Sequence, residues 1–61
     1  MTEAPEKQKK ILMVEDNIAM RDIVVHKLAA NGFIVKEAED GQQGIDLIIS
    51  EKPDLVLLDL M

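Results

Sequence analysis

Glu15, Asp16 and Asp59 are the residues whose type and placement could do chemistry in this chain. Glu15 and Asp16 follow the apolar run Ile11-Leu-Met-Val14, and Asp59 follows Leu55-Val-Leu-Leu58. Short unbroken apolar runs read as strands buried on both faces, as in a parallel sheet covered by helices. A carboxylate at the carboxyl end of such a strand lies where open α/β sheets place their chemistry. If the two strands are neighbours, about 4.8 Å apart, the three like charges converge and repel. A hard divalent cation relieves that repulsion, and Mg²⁺ accepts carboxylate, carbonyl and water oxygens. The pattern therefore offers three converging carboxylates as a candidate cation site.

The segments between the two runs must position these acids. Asn17 can cap a helix by accepting from backbone N–H groups of its first turn. Ile18 to Ala30 has helical apolar spacing, predicting a buried stripe of Met20, Ile23, Val24 and Leu28. Asn31-Gly32 ends that helix, with glycine supplying the left-handed conformation. Phe33 to Ala38 predicts an edge strand on which Lys36 discourages further pairing. Asp40 and Gly41 make a turn and cap. Gln42 to Glu51 predicts a second helix burying Ile45, Ile48 and Ile49, with Gly44 costing about 1 kcal/mol relative to alanine. Lys52-Pro53 closes that helix and leads into the last strand.

The order β-α-β-α-β with short connections implies a parallel sheet with right-handed crossovers. With strand order 2-1-3, the first crossover covers one face and the second covers the other. A crevice then opens between strands one and three at their carboxyl ends. Among the other polar residues, Asp40 reads as a cap, Asp54 as a strand opener and His26 as an exposed helix side chain. The helix dipole also favours Glu15 and Asp16 at the first turn.

Composition narrows the function classes. Sixty-one residues permit one small domain or a piece of a larger one, burying only about 60% of the unfolded surface. There is no cysteine, so disulfides and thiolate metal sites are excluded, and a single histidine cannot form a zinc cluster. A net charge of −5 with no basic stripe disfavours nucleic-acid binding. The apolar runs are far too short to span a bilayer and no signal peptide is recognisable, so the expectation is a soluble cytoplasmic protein. Residues 1–10 read as a polar, disordered tail and 11–61 as the folded unit. A nucleotide-binding turn is excluded, because Glu15-Asp16-Asn17 contains no glycine and its acids repel phosphate.

Four stretches together closely resemble the receiver domain of two-component response regulators. They are Val14-Glu-Asp-Asn17, Asn31-Gly-Phe33, Ala38-Glu-Asp-Gly41 and Lys52-Pro-Asp-Leu-Val-Leu-Leu-Asp-Leu-Met61, and the likeness runs from about residue 10 to the last. The resemblance implies a flavodoxin-like α/β fold and a phosphoacceptor signalling domain rather than an enzyme. Asp59 would accept a phosphoryl group from a histidine kinase or phosphotransfer protein. Glu15, Asp16 and Asp59, with the backbone carbonyl of Met61, would hold Mg²⁺. Outer residues of the first helix contribute to kinase docking in that family, which would implicate Met20 and Arg21.

The family's domain has five strands and five helices, and the resemblance covers the first three strands and two helices. Its Ser or Thr after the fourth strand and Lys after the fifth, which contact the phosphoryl oxygens, have no counterpart in these residues. The polypeptide alone is therefore expected to take up little or no phosphoryl group. The alternative function is structural: a half-domain that folds by homodimerisation, with third-strand edges paired about a two-fold axis.

Overall fold

β1 (Lys10–Glu15) is followed by α1 (Ile18–Ala30), β2 (Ile34–Ala38), α2 (Gly41–Glu51) and β3 (Leu55–Asp59) in a computed structural model that describes residues 8–59. The three strands form one parallel sheet in the order β2-β1-β3. This is the expected 2-1-3 arrangement of a flavodoxin-like fold. The register runs from Lys10 opposite Ile34 to Val14 opposite Ala38 on one side of β1. On the other side it runs from Ile11 opposite Leu55 to Glu15 opposite Asp59.

The uniformly apolar run of β1 explains its central place. Successive side chains of a strand point to opposite faces, so an apolar run buries fully only where both faces are covered, as they are over β1. Ile11, Leu12, Met13, Val14 and Glu15 are all buried. Leu12 and Val14 join Ala38 in the core, with Leu47 of α2 and Val56 of β3 packed against them. Both helices lie over β1 and β2 and do not touch each other, as crossovers on opposite faces require.

Both predicted caps form. Asn17 Oδ1 accepts from the Met20 N–H at 3.0 Å, and Asp40 Oδ1 from the Gln43 N–H at 2.9 Å. Gly32 takes a φ of 89° just past the Asn31 C-cap, where an L side chain would be strained. α2 closes on Lys52, which itself adopts the left-handed conformation with φ 48°.

Three expectations about burial and one about a strand boundary need correction. In α1 the half-buried residues are Arg21, Val24, Val25 and Leu28, while Met20 and Ile23 are 49% and 63% exposed. The inward face follows positions 21, 24, 25 and 28, an i, i+3, i+4, i+7 stripe, so Val24 and Leu28 lie on the expected side while Arg21 and Val25 take the places expected of Met20 and Ile23. In α2 the side toward the sheet is Gly44 and Leu47; Ile45, Ile48 and Ile49 are exposed. A Cβ on Gly44 would sit 3.1 Å from Val14 Cγ2, so this glycine lets the helix lie close on β1.

β3, the third correction, is not buried on both faces. Neither helix lies over it, and Leu55 and Leu58 are exposed. Finally, regular pairing begins at Lys10, opposite Ile34 and one residue before the predicted boundary, and Lys10 and Asp54 also bond reciprocally. The Lys10 N–H donates to Asp54 Oδ2 and the Asp54 N–H to the Lys10 carbonyl, each at 2.7 Å. The remainder of the predicted disordered tail, up to residue 7, lies outside the described residues.

β2 is an edge strand, as expected, but Lys36 is half-buried and lies 3.6 Å from Glu51 Oε1. Among the described residues no helix is long and apolar enough to cross a membrane.

Candidate functional site

The sheet brings Glu15 and Asp59 to the same end of adjacent strands as register partners. Glu15 closes β1 and is 2% exposed, whereas Asp16, Asn17 and Asp59 are exposed. Asp16 occupies the bend between β1 and α1, and Asn17 starts the helix. The turn is tied at several points. The Asn17 N–H donates to Glu15 Oε2 at 3.3 Å, and the Asn17 carbonyl accepts from the Arg21 N–H at 2.9 Å.

Arg21 completes the arrangement. Its Nη1 donates to the Glu15 carbonyl at 2.7 Å, and its Nε lies 3.3 Å from Glu37 Oε1 on β2. The Arg21 side chain is 13% exposed, so it faces inward and does not belong to the outer surface of α1. Met20 does remain accessible there. The signal for an inward Arg21 was in the sequence: it lies on the 21, 24, 25, 28 stripe, a lone cation on an otherwise apolar face, six residues beyond Glu15.

Electrostatics at this end follow from the crowding of acids. The Glu15 carboxyl is raised above its ordinary value, first by a hydrogen bond shared with the Asp16 carboxyl and next by burial. The Asn17 N–H opposes this, and the charges of Asp59 and Asp16 add to it. Such a site favours a proton or a cation on its oxygens. Among the described residues, no group of three or more His, Cys, Asp or Glu side chains is gathered so as to hold a metal ion. The acids are thus brought to one end of the sheet by the backbone without being closed into a ligand shell. Met61, whose carbonyl was expected to contribute, lies outside the described residues.

The remaining polar residues serve the fold. Asp40 caps α2, Asp54 fastens β3 to β1, and His26 is exposed on α1. At the opposite end of the sheet Glu51 Oε1 bridges Lys10 Nζ at 3.3 Å and Lys36 Nζ at 3.6 Å. These pairings hold the Glu51 carboxyl below its ordinary value, chiefly through the hydrogen bond from Lys10.

Comparison with known proteins gives a consistent result. The family model described as the response regulator receiver domain matches residues 11–61. The response regulator MprA of Mycolicibacterium vanbaalenii is 44% identical over 52 residues, covering 85% of this chain and 22% of that protein. MprA of Mycobacterium sp. strain KMS is 42% identical over 52 residues, covering 85% and 23%. MprA of Mycobacterium tuberculosis strain H37Ra is 40% identical over the same length and coverage. The chain thus spans less than a quarter of the length of these relatives. No solved structure gives a significant match.

Proposed function

The chain belongs to the response regulator receiver family, and from that premise we propose that it is a phosphoacceptor whose acceptor is Asp59. The pairing of Glu15 with Asp59 in the β1–β3 register carries the reading. It gives the nucleophile an exposed position at the end of a strand, beside the acidic turn. In the reaction an Asp59 carboxylate oxygen attacks the phosphorus of a phosphohistidine on the partner kinase or phosphotransfer protein. A P–O bond forms, the P–N bond breaks, and the imidazole nitrogen keeps the bonding pair. The product is an acyl phosphate, a modified signalling state of this domain rather than a released product.

The residues fit Mg²⁺ in donor chemistry. Glu15, Asp16 and Asp59 present hard carboxylate oxygens, the donor type that Mg²⁺ accepts. These three would hold the ion, with the Met61 carbonyl as the further ligand implied by the family likeness. When bound, Mg²⁺ supplies positive charge next to the phosphoryl oxygens. Glu15 fixes the end of β1, Asp16 extends the acidic turn, and Asp59 supplies the nucleophilic oxygen. A histidine kinase partner and a cytoplasmic location accompany this reading.

Acetyl phosphate with Mg²⁺, followed by intact mass measurement, tests it. Because the family's Ser or Thr and Lys contacts have no counterpart here, the 61-residue chain is expected to label poorly. Residues 11–61 are therefore also grafted in place of the matching stretch of the M. vanbaalenii relative. A folded graft is expected to gain one phosphoryl group, and its Asp59→Asn form none. An unlabelled folded graft, or equal labelling of Asp59→Asn, would refute the assignment.

A second reading rests on β3. Among the described residues its outer edge pairs with no strand, Leu55 and Leu58 are exposed, and an apolar groove of about 260 Å³ between α2 and β3 is lined in part by Ile45, Ile48 and Val56. An unpaired apolar edge invites strand addition. A second copy, paired antiparallel through β3 about a two-fold axis, would extend the sheet and make the chain a self-associating unit. Light scattering is expected to show a concentration-dependent dimer that Leu58→Lys disrupts. A monomer at all concentrations would eliminate this reading.

A further inference from the structure

Arg21 reaches from α1 to make two charge-assisted contacts, one at the acidic turn and one on β2. Its Nη1 donates to the Glu15 carbonyl at 2.7 Å, the oxygen of the peptide that joins Glu15 to Asp16. Its Nε meets Glu37 Oε1 at 3.3 Å, and Glu37 lies on β2, on the far side of β1 from Asp59. We propose that Arg21 is a positioning residue that fixes the Glu15–Asp16 peptide and thereby the approach of the two acids to a divalent cation beside Asp59. This deepens the phosphoacceptor reading and rests on it for the identity of the site.

Three features favour positioning over ordinary surface pairing. The guanidinium faces inward, where screening by water is weak, and its planar fork can meet a carbonyl and a carboxylate together. The carbonyl it holds belongs to the one peptide shared by both acids of the turn. Glu37, at 45% side-chain exposure, adds little stability as a surface ion pair, but it fixes the direction in which the guanidinium points. Partners that orient a ligand-bearing group typically change metal affinity about 10–100-fold when removed.

The sign of the effect separates this role from simple electrostatics. Arg21 is a cation near acids, so through-space repulsion alone predicts that removing it tightens a dication. Positioning predicts the reverse. Mn²⁺ binding to the full chain, read as free Mn²⁺ by paramagnetic resonance, is compared for the wild type, Arg21→Gln, Arg21→Lys, Glu37→Gln and Glu51→Gln.

Arg21→Gln is expected to weaken Mn²⁺ about tenfold, and Arg21→Lys, which keeps the charge but not the fork, is expected to fall between it and the wild type. Glu37→Gln is expected to weaken Mn²⁺ less than Arg21→Gln does. Glu51→Gln breaks an ion-pair network at the other end of the sheet and is expected to leave Mn²⁺ affinity unchanged. Unchanged or tighter binding in folded Arg21→Gln, or equal loss in Glu51→Gln, overturns the proposal.

Backbone ¹⁵N order parameters at Asp16 and Asn17 supply a readout that needs no metal. They are expected to drop in Arg21→Gln and in Glu37→Gln but not in Glu51→Gln, and unchanged values overturn the proposal. If the wild type takes no Mn²⁺, the cation part of the phosphoacceptor reading fails, and these order parameters still decide whether Arg21 holds the turn. Glu37→Gln, a change at an exposed carboxylate, supports either measurement if the Arg21 variants unfold.

Discussion

Glu15 and Asp59 face each other across the β1–β3 ladder as the last register pair of the sheet, the first buried and the second exposed. Their charges are therefore coupled, and the buried partner carries the strain. The folded Glu15 pKa lies above its ordinary value of 4.5. Below that value the group is protonated in both folded and unfolded chains and adds no penalty. As pH rises through the raised folded value, Glu15 must ionise against its neighbours and the stability held at lower pH is lost. Carboxyl ¹³C titration is expected to show the Glu15 midpoint falling in Asp59→Asn and falling further in Asp16→Ala, which removes the larger influence. An unmoved midpoint in both would contradict the coupling.

The opposite end of the sheet has the opposite sign. Glu51 is held below its ordinary value of 4.5 by Lys10 and Lys36. Its contribution is complete above 4.5 and is lost as pH falls through the depressed folded value. Urea midpoints for the wild type and Glu51→Gln should therefore differ at neutral pH and converge in acid. A constant difference across that range would remove Glu51 from the account.

The two glycines of α2 respond differently to alanine. Around Gly41 no atom lies within 4 Å of an added Cβ, so Gly41→Ala should stabilise by a few tenths of a kcal/mol, up to about 1. At Gly44 the added Cβ meets Val14 Cγ2 at 3.1 Å, and Val14 is a stiff β-branched residue in the central strand. Gly44→Ala should fail to gain that amount, and Gly44→Val should destabilise by about 1–3 kcal/mol. A Gly44→Ala variant more stable than Gly41→Ala would show that α2 can lift from β1 freely.

Each helix cap should be measurable alone. Asn17→Ala and Asp40→Ala each remove a side-chain oxygen that accepts from the first turn, and each should lower stability by about 1 kcal/mol in urea titration. Asn17→Asp keeps the cap but adds a fourth acid to this end of the sheet, so Glu15 should titrate higher than in the wild type.

The sequence disclosed strand order and caps more readily than helix faces. The apolar run Ile11 to Val14 favoured a strand covered on both sides, and Asn17, Asn31-Gly32 and Asp40 act over a few residues, where the code is local. Met20 and Ile23 were misread because a small rotation barely changes an apolar count, and only the sheet decides which side of α1 faces inward. Ile45, Ile48 and Ile49 misled for a related reason. α2 settles by its smallest residue, Gly44, so its bulkiest residues stand beside the line of contact. Leu55 to Leu58 shared the composition of β1 but not its helical cover. At the site, the acids were legible as types at strand ends. Arg21 could be placed on the inward stripe from its spacing, but its bond to the Glu15 carbonyl could not, because no sequence letter records a backbone partner.

Burial concentrated in one strand has a kinetic meaning. Ile11 to Glu15 are buried together, and elsewhere among the described residues only Ala38 and Gly44 match them. Amide protons of this strand should then exchange with solvent only when the whole molecule opens, whereas those near the helix ends escape through local fraying. An ion captured at the tip of that strand would slow exchange along its full length by mass action. Deuterium uptake at Leu12, far from any ligand oxygen, would thus report occupancy of the acidic end.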